Sequence, residues 1–375
     1  MKKKFMPLLL GLTMTATLFA GCGGGEKKAE TPTDAGAEKT KVSVFWYEES
    51  DVYLSSVRTE LNEELDALGV EYDNQFAAND QAKQIDQIKT AIAGGADVLI
   101  VNVVTSGAPD TAEDIIAAAG DIPVIFFNRA IGTDGSDVTV LNDNATTCFI
   151  GTDAPEAGHM QGKMVGDYVL ANYDTIDVNG DGQISYAMMK GDEANIEAIY
   201  RTQYGVEDAN AVLTAAGKPA LVYFDAANTD CYQVDAGGAW SAAAAKEYMD
   251  TNFVSYNEGN GNMIELVICN NDGMAEGVVA SLQANGYNTG DGHTVPVFGV
   301  DATDNAKALI ADGAMTGTVK QDADGMAAAI AQTLSAVAEG KAPADALAGL
   351  SDARFSVAAD CTGKLFVAYA PYTGE

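Results

Sequence analysis

From residue 41 onward, short runs of β-branched and aromatic residues alternate with longer stretches whose apolar positions recur at helical spacing. The short runs predict strands over residues 42–47, 70–76, 98–103 and 124–127, and the longer ones predict helices over 52–68, 80–93 and 111–119. A second series starts near residue 151, with helices over 155–173, 196–216, 233–249 and 273–285 and strands over 184–189, 220–224, 266–269 and 295–300. Alternation of this kind builds βαβ units and mainly parallel sheets. Two such series amount to about twice a common domain length, so two doubly wound α/β lobes are expected, although length alone leaves one large domain open.

Open α/β sheets bind ligands beyond the carboxyl ends of their strands. There the chain repeatedly sets polar residues: Glu48 to Asp51 after the first strand, Asn128 and Arg129 after the fourth, then Lys190 to Glu193, Asn270 to Asp272, and Asp301. Helix starts also want Asn, Asp or Ser, and capping alone accounts for about half of these residues. Across both series they describe two polar rims that face one another.

One loop carries a different chemistry. Asp177-Val-Asn-Gly-Asp-Gly-Gln-Ile-Ser185 places oxygen-bearing groups at positions 1, 3, 5, 7 and 9 with glycine at position 6, the spacing of a calcium loop. Position 12, where an EF-hand has a bidentate glutamate, is Met188, so a carboxylate must come from elsewhere. The loop runs into a strand-like segment, which suits a structural staple more than a sensor. A solvated Asp/Gly turn favours the same residues without any metal.

The remaining composition narrows the class. Residues 1–21 have a basic start, an apolar stretch and small residues before Cys22, the form of a secretory signal. Ala20-Gly21-Cys22 resembles the bacterial lipobox, which makes Cys22 the lipidation site; a plain signal cut near Ala20 is the alternative. Residues 22–40 are small, polar and Pro/Gly-punctuated, a tether that cannot bury enough surface to order itself. With 54 acidic against 21 basic residues and a formal net charge of −33, binding to nucleic acid or to anionic lipid is disfavoured. No later stretch reaches the length of a bilayer span, so the expected location is outside the cell membrane, held to its outer face by the lipid alone. Cys148, Cys231, Cys269 and Cys361 form no CxxC pair; buried thiols and disulfides both remain open.

At the strand ends the sequence resembles the periplasmic glucose/galactose-binding proteins of bacterial ABC transport, which are type I periplasmic binding proteins. The stretches that carry the likeness are Asn79 to Gln87, Ile122 to Asn128, Ile150 to Asp153, the loop from Asp177, Ile268 to Met274 and Val295 to Asp301. The resemblance implies two lobes joined by three hinge strands crossing near 150–153, 320–322 and 368–371. One lobe comprises residues 41–150 plus 322–368, and the other 151–321 plus 369–375. It also implies structural Ca²⁺ held by the side chains of Asp177, Asn179 and Asp181, the carbonyl of Gln183, Ser185 in place of a glutamine, and Glu265 as the missing bidentate carboxylate.

The same likeness nominates a substrate site. Asp51, Asn128, Arg201, Asn271 and Asp301 match sugar ligands of the family, and Tyr53 takes the place of a stacking phenylalanine. Glu197 stands for an aspartate, Asn195 for a histidine, Gln321 for an asparagine, and Thr229 aligns with a second stacking tryptophan, which Trp46 or Trp240 would then have to replace. Glu197 and Gln321 are longer than the family's residues and are expected to push into the space of a hexose. The implied function is a monomeric, non-enzymatic receptor that binds galactose or glucose between its lobes and delivers it to an ABC transporter permease. A tethered sensor for a chemoreceptor or sensor kinase is an alternative, as is a receptor for another aldose, a glycoside or a disaccharide. A glycosidase using Asp51 and Glu197 is disfavoured because amides and an arginine around each carboxylate hold it ionised, so no catalytic residue is expected.

Overall fold

The computed structural model describes residues 39–290 and 292–374; the expected signal, Cys22 and most of the tether lie outside the described residues. The chain first builds β1 (Lys41–Trp46), α1 (Val52–Leu68), β2 (Glu71–Phe76), α2 (Gln81–Ala93), β3 (Val98–Val101), α3 (Pro109–Ala119), β4 (Val124–Phe127), α4 (Ser136–Asp143) and β5 (Thr147–Gly151). It then forms α5 (Ala154–Ile176), β6 (Ser185–Lys190), α6 (Ile196–Ala215), β7 (Val222–Tyr223), β8 (Gln233–Val234), α7 (Ala242–Phe253), β9 (Leu266–Cys269), α8 (Asp272–Ala284), β10 (Val297–Asp301), α9 (Asp304–Ala311) and β11 (Gly317–Lys320). Last come α10 (Ala323–Ala338), α11 (Pro343–Ala348), β12 (Phe355–Val357), β13 (Lys364–Val367) and β14 (Ala370–Tyr372).

Two sheets result, one ordered β12-β13-β5-β4-β3-β1-β2 and the other β14-β11-β10-β9-β6-β7, with β8 beside β6. All pairings are parallel except β12 with β13 and β14 with β11. Strands such as Val98–Val101 and Leu266–Cys269 are buried along their whole length because helices cover both faces of each sheet. In the first lobe, α1, α10 and α11 close one face through Leu54, Leu61, Ile330 and Leu347, and α2 to α4 close the other through Ile88, Ile115 and Val140. In the second, α7 to α9 supply Met249, Val278 and Ile310, and α5 and α6 supply Val165, Val169 and Leu213. The last two helices pack so closely that a Cβ on Gly162 would lie 2.2 Å from the Tyr204 carbonyl oxygen.

The chain passes between the sheets three times: from β5 to α5, from β11 to α10 and from β13 to β14. Thr152, Gln321 and Tyr369 lie in those connections. Within each lobe the central order is the same, β2-β1-β3-β4-β5 and β7-β6-β9-β10-β11, so strand order reverses beside β1 and beside β6. A ligand site is expected in the crevice at those reversals.

The main local departure from the sequence reading is the helix expected over 233–249. Its first residues instead pair with β6 as β8, and a turn over 235–241 intervenes before Ser241 caps α7 by accepting from the Ala244 N–H at 3.2 Å. The four cysteines Cys148, Cys231, Cys269 and Cys361 are free thiols.

Candidate functional site

Between the lobes lies a narrow cavity bounded by side chains from the carboxyl ends of strands in both sheets. All nine residues nominated for substrate binding line it: Asp51, Tyr53 and Asn128 from the first lobe, Asn195, Glu197, Arg201, Asn271 and Asp301 from the second, and Gln321 from a connection. Tyr47, Arg129 and Trp240 complete the lining. The lobes touch across the mouth, where the Asn79 amide donates to the Gly237 carbonyl at 2.9 Å and Arg129 pairs with Asp192 at 3.2 Å.

Helix starts hold three of these residues in place. Asp51 caps α1 by accepting from the Leu54 N–H at 2.8 Å, Asn195 caps α6 by accepting from the Glu197 N–H at 2.8 Å, and Asn271 caps α8 by accepting from the Met274 N–H at 2.9 Å. Capping uses only the side-chain oxygen of Asn195 and Asn271 and one oxygen of Asp51, so the amides keep their NH₂ groups for other acceptors, the Trp240 carbonyl at 3.4 Å among them for Asn271. Asn128 sits at φ 59°, and the buried Asn102 amide donates to its side-chain oxygen at 3.2 Å. Asp301 and Ala302 end β10 at φ 131° and 56°, two successive non-glycine residues in the strained region that clusters at binding sites.

Arg201 is the electrostatic centre, almost sealed from solvent. It donates to the Asn270 carbonyl at 3.0 Å, to Glu197 at 3.0 Å, to Gln321 Oε1 at 2.9 Å and to Tyr369 Oη at 3.0 Å. Glu197 and Gln321 thus turn toward Arg201 while lining the cavity. Burial drives the Asp301 carboxyl well above the usual carboxylate range, the neighbouring Asp272 adds to this, and Arg201 opposes it. Behind it, burial pushes Asp272 up to about 7, although the Thr318 hydroxyl and the Thr303 N–H both donate to it.

Aromatic rings form the apolar part of the wall. The Arg129 guanidinium lies 4.1 Å from the centre of the Tyr47 ring, whose hydroxyl donates to Asp51 at 2.7 Å. Trp240, at φ 55°, packs over the backbone of Gly191, where a Cβ would come within 2.1 Å of the indole. Thr229 is exposed and does not line the cavity, so it holds no stacking place; the second lobe's aromatic is Trp240. Trp46 is a core residue whose indole N–H donates to Asn74 at 2.7 Å. Sequence reasoning placed Arg129 at a strand end without assigning it to the site, and passed over Tyr47, although its position four residues before Asp51 was a usable signal.

Four polar atoms of the lining residues are buried and without a hydrogen-bond partner: Tyr53 Oη, Arg129 Nε, Arg201 Nε and Gln321 Nε2. All four can donate, and native interiors rarely leave such groups unmet. The lining therefore presents unmet donors in a polar cavity walled by aromatic rings.

The model of a periplasmic binding protein domain matches residues 42–342. The chain belongs to that family. This periplasmic binding protein is 31% identical to the D-galactose/methyl-galactoside binding periplasmic protein MglB of Haemophilus influenzae, over 81% of this chain and 83% of that one. Its fold also matches an ABC transporter solute binding protein from Bacillus halodurans with bound myo-inositol, at TM-score 0.64 and 22% identity over 91% of this chain and 96% of that one. A solute binding protein from Clostridium phytofermentans with bound β-D-glucose matches at TM-score 0.63 and 20% identity, over 89% and 94% of the two chains. Two α/β lobes with three connections are the type I architecture of the family.

In this binding protein the loop from Asp177 to Ser185 follows α5 and leads into β6. Its own backbone N–H groups fold onto its carboxylates and amides, from Gly182 to Asp177 at 2.9 Å, from Asp181 to Asn179 at 2.8 Å and from Gln183 to Asp181 at 2.8 Å. Glu265, fully buried just before β9, reaches the loop and accepts from the N–H groups of Val178 and Ser185 at 2.9 Å each. Burial raises its pKa, and those backbone donors oppose the shift. Asp177 Oδ1 is buried with no partner. Among the described residues, no group of three or more His, Cys, Asp or Glu converges as a cation site by itself. The oxygen-only chemistry of the loop, its orphaned carboxylate oxygen and the reach of Glu265 fit a hard cation that also takes amide, hydroxyl and carbonyl oxygens.

Proposed function

We propose that this protein is the extracytoplasmic receptor of a sugar ABC transporter, enclosing one neutral monosaccharide, galactose or glucose, between its lobes and handing it to the permease. The four unmet donors around the cavity carry this reading. A pyranose offers hydroxyl oxygens to accept from them, hydroxyl hydrogens for Asp51 and Asp301, and an apolar C–H face for Trp240 and Tyr53. Similarity to MglB favours galactose. A binding role without turnover is supported by the ties on the two carboxylates: Asp51 accepts from Leu54 and Tyr47, and Glu197 from Thr152 and Arg201, which leaves neither free to move a proton at a glycosidic bond.

The loop from Asp177 to Ser185 with Glu265 holds structural Ca²⁺ in this reading and ties α5 to the strand region of the second lobe. Cys22 supplies the lipid anchor, and among the described residues no helix is long and apolar enough to cross a membrane.

A thermal-shift panel of monosaccharides, glycosides and disaccharides, with and without a calcium chelator, tests both assignments. Ligands that bind the native state raise apparent stability, by about 2.7 kcal/mol at a hundredfold excess over Kd. Galactose or glucose should raise Tm by several degrees, and chelation should lower it. A shift with a different sugar and none with these two refutes the named ligands; no shift with any sugar refutes the receptor reading.

A further inference from the structure

We propose that Tyr369 is a positioning residue that fastens the ligand-facing guanidinium of Arg201 to all three connections between the lobes. Each connection sends one side chain to the same buried point. Thr152 comes from the first, Gln321 from the second and Tyr369 from the third. Tyr369 Oη donates to Thr152 Oγ1 at 2.9 Å, and Thr152 Oγ1 donates to Glu197 Oε1 at 3.0 Å. The other Glu197 oxygen accepts from Arg201 Nη2 at 3.0 Å, and the same nitrogen donates to Tyr369 Oη at 3.0 Å, which closes the ring. Gln321 Oε1 joins it by accepting from Arg201 Nη2 at 2.9 Å.

Lobe closure changes backbone angles only where the chain passes between the lobes, so a group bound to all three passages feels the hinge angle directly. Arg201 is such a group: it bonds Gln321 and Tyr369 directly, reaches Thr152 through Glu197, and lines the cavity. Whatever binds Arg201 there biases the hinge, and by linkage the hinge biases its affinity. Glu197 then serves as the clasp of the ring instead of competing for ligand space. Tyr369 anchors the ring: its own ring packs with Ala157, Val300 and Val319 beside the connections. This inference rests on the receptor reading only for its affinity consequence.

The test replaces one hydroxyl. Tyr369→Phe keeps the ring and its packing, and Thr152→Val removes the neighbouring link without touching the site arginine. Hydrogen–deuterium exchange is followed by mass spectrometry, without added ligand, in peptides covering residues 151–153, 320–322 and 367–370. Each variant should raise exchange in all three segments together, by roughly fivefold or more. A rise confined to the segment that carries the substitution overturns the proposal. In the second arm, titration with D-galactose and D-glucose should give a Kd about tenfold weaker in Tyr369→Phe, as expected for loss of one buried hydrogen bond. Unchanged affinity in a variant that binds these sugars also overturns it. If the wild-type protein binds neither sugar while all three segments loosen together, the ligand assignment falls and the ring stands.

Discussion

Arg201 is buried among four partners, so its removal leaves several groups stranded at once. Breaking a buried charge pair by deleting one member costs about 3–5 kcal/mol, because the surviving carboxylate of Glu197 keeps its desolvation and loses its counter-charge. Arg201→Ala should therefore lower unfolding free energy by about that amount in urea titrations and abolish the thermal shift produced by sugar. Asp272 gives a pH signature of opposite origin. Its carboxyl is held at about 7, against an ordinary value of 3.8, so the folded chain binds a proton that the unfolded chain has already released between those pH values. Its contribution to stability is complete below about pH 4 and is lost as pH rises toward 7. Urea unfolding of the wild type from pH 4.5 to 7.5 should show this decline, and Asp272→Asn should reduce it to the part that the raised carboxyl of Asp301 contributes; an equal slope in the variant would remove Asp272 as its source.

At the scale of elements, α5 and α6 depend on an approach that only hydrogen permits at Gly162. Gly162→Ala forces the helices apart by more than a side chain can absorb, since the obstacle is the Tyr204 carbonyl. Overpacking of this kind costs typically 1–3 kcal/mol, readable as a fall in Tm of several degrees, and because α6 also carries Glu197 and Arg201 sugar affinity should weaken with it. The loop from Asp177 to Ser185, with the Ca²⁺ proposed for it, predicts a second element-scale effect. Glu265→Gln keeps one acceptor oxygen where two now serve the N–H groups of Val178 and Ser185, and it should lower Tm and remove the response to chelator. These elements differ in how legible they were. The buried strands and the helices α1, α2 and α6 stand out in sequence because burial on both sheet faces makes strands uniformly apolar and caps such as Asp51 and Asn195 mark helix starts. The entry to α7 was misread because Gln233 and Val234 gain their state from pairing with β6, a partner more than 40 residues away that no local pattern reveals. Trp240 was underrated for the same reason. Its seat is the bare backbone of Gly191, and only the fold brings the two together. Position-by-position likeness gathered all nine nominated lining residues, yet it put Thr229 in the second stacking place and left Trp46 and Trp240 undecided, because likeness along the chain carries no distance information.

For the whole molecule, charge and hinge make separate demands. A net charge of −33 surrounds a cavity whose walls also hold Asp51 and Glu197. Such a field opposes entry of an anion and leaves a neutral solute unaffected, which bears directly on whether the ligand is a sugar or a sugar acid. It also strains the folded body through self-repulsion. Raising ionic strength from 0.01 M to 0.15 M shortens the screening length from about 30 Å to about 8 Å, so repulsion between distant carboxylates fades while buried pairs such as Arg201 with Glu197 are barely touched. Two outcomes should then separate. Tm should rise with sodium chloride over this range, by a few degrees. The Kd for galactose, measured calorimetrically over the same range at constant pH, should stay within about twofold, because a neutral ligand brings no charge to be screened and the closing contacts Arg129–Asp192 and Asn79–Gly237 are few. A Kd for galactose that tightened severalfold with salt would mean that repulsion between the two acidic lobes opposes their closure, since the sugar itself carries no charge; a sugar acid that bound more tightly than galactose over the same range would overturn the neutral-sugar assignment even with the lobes, the hinge and the family as described.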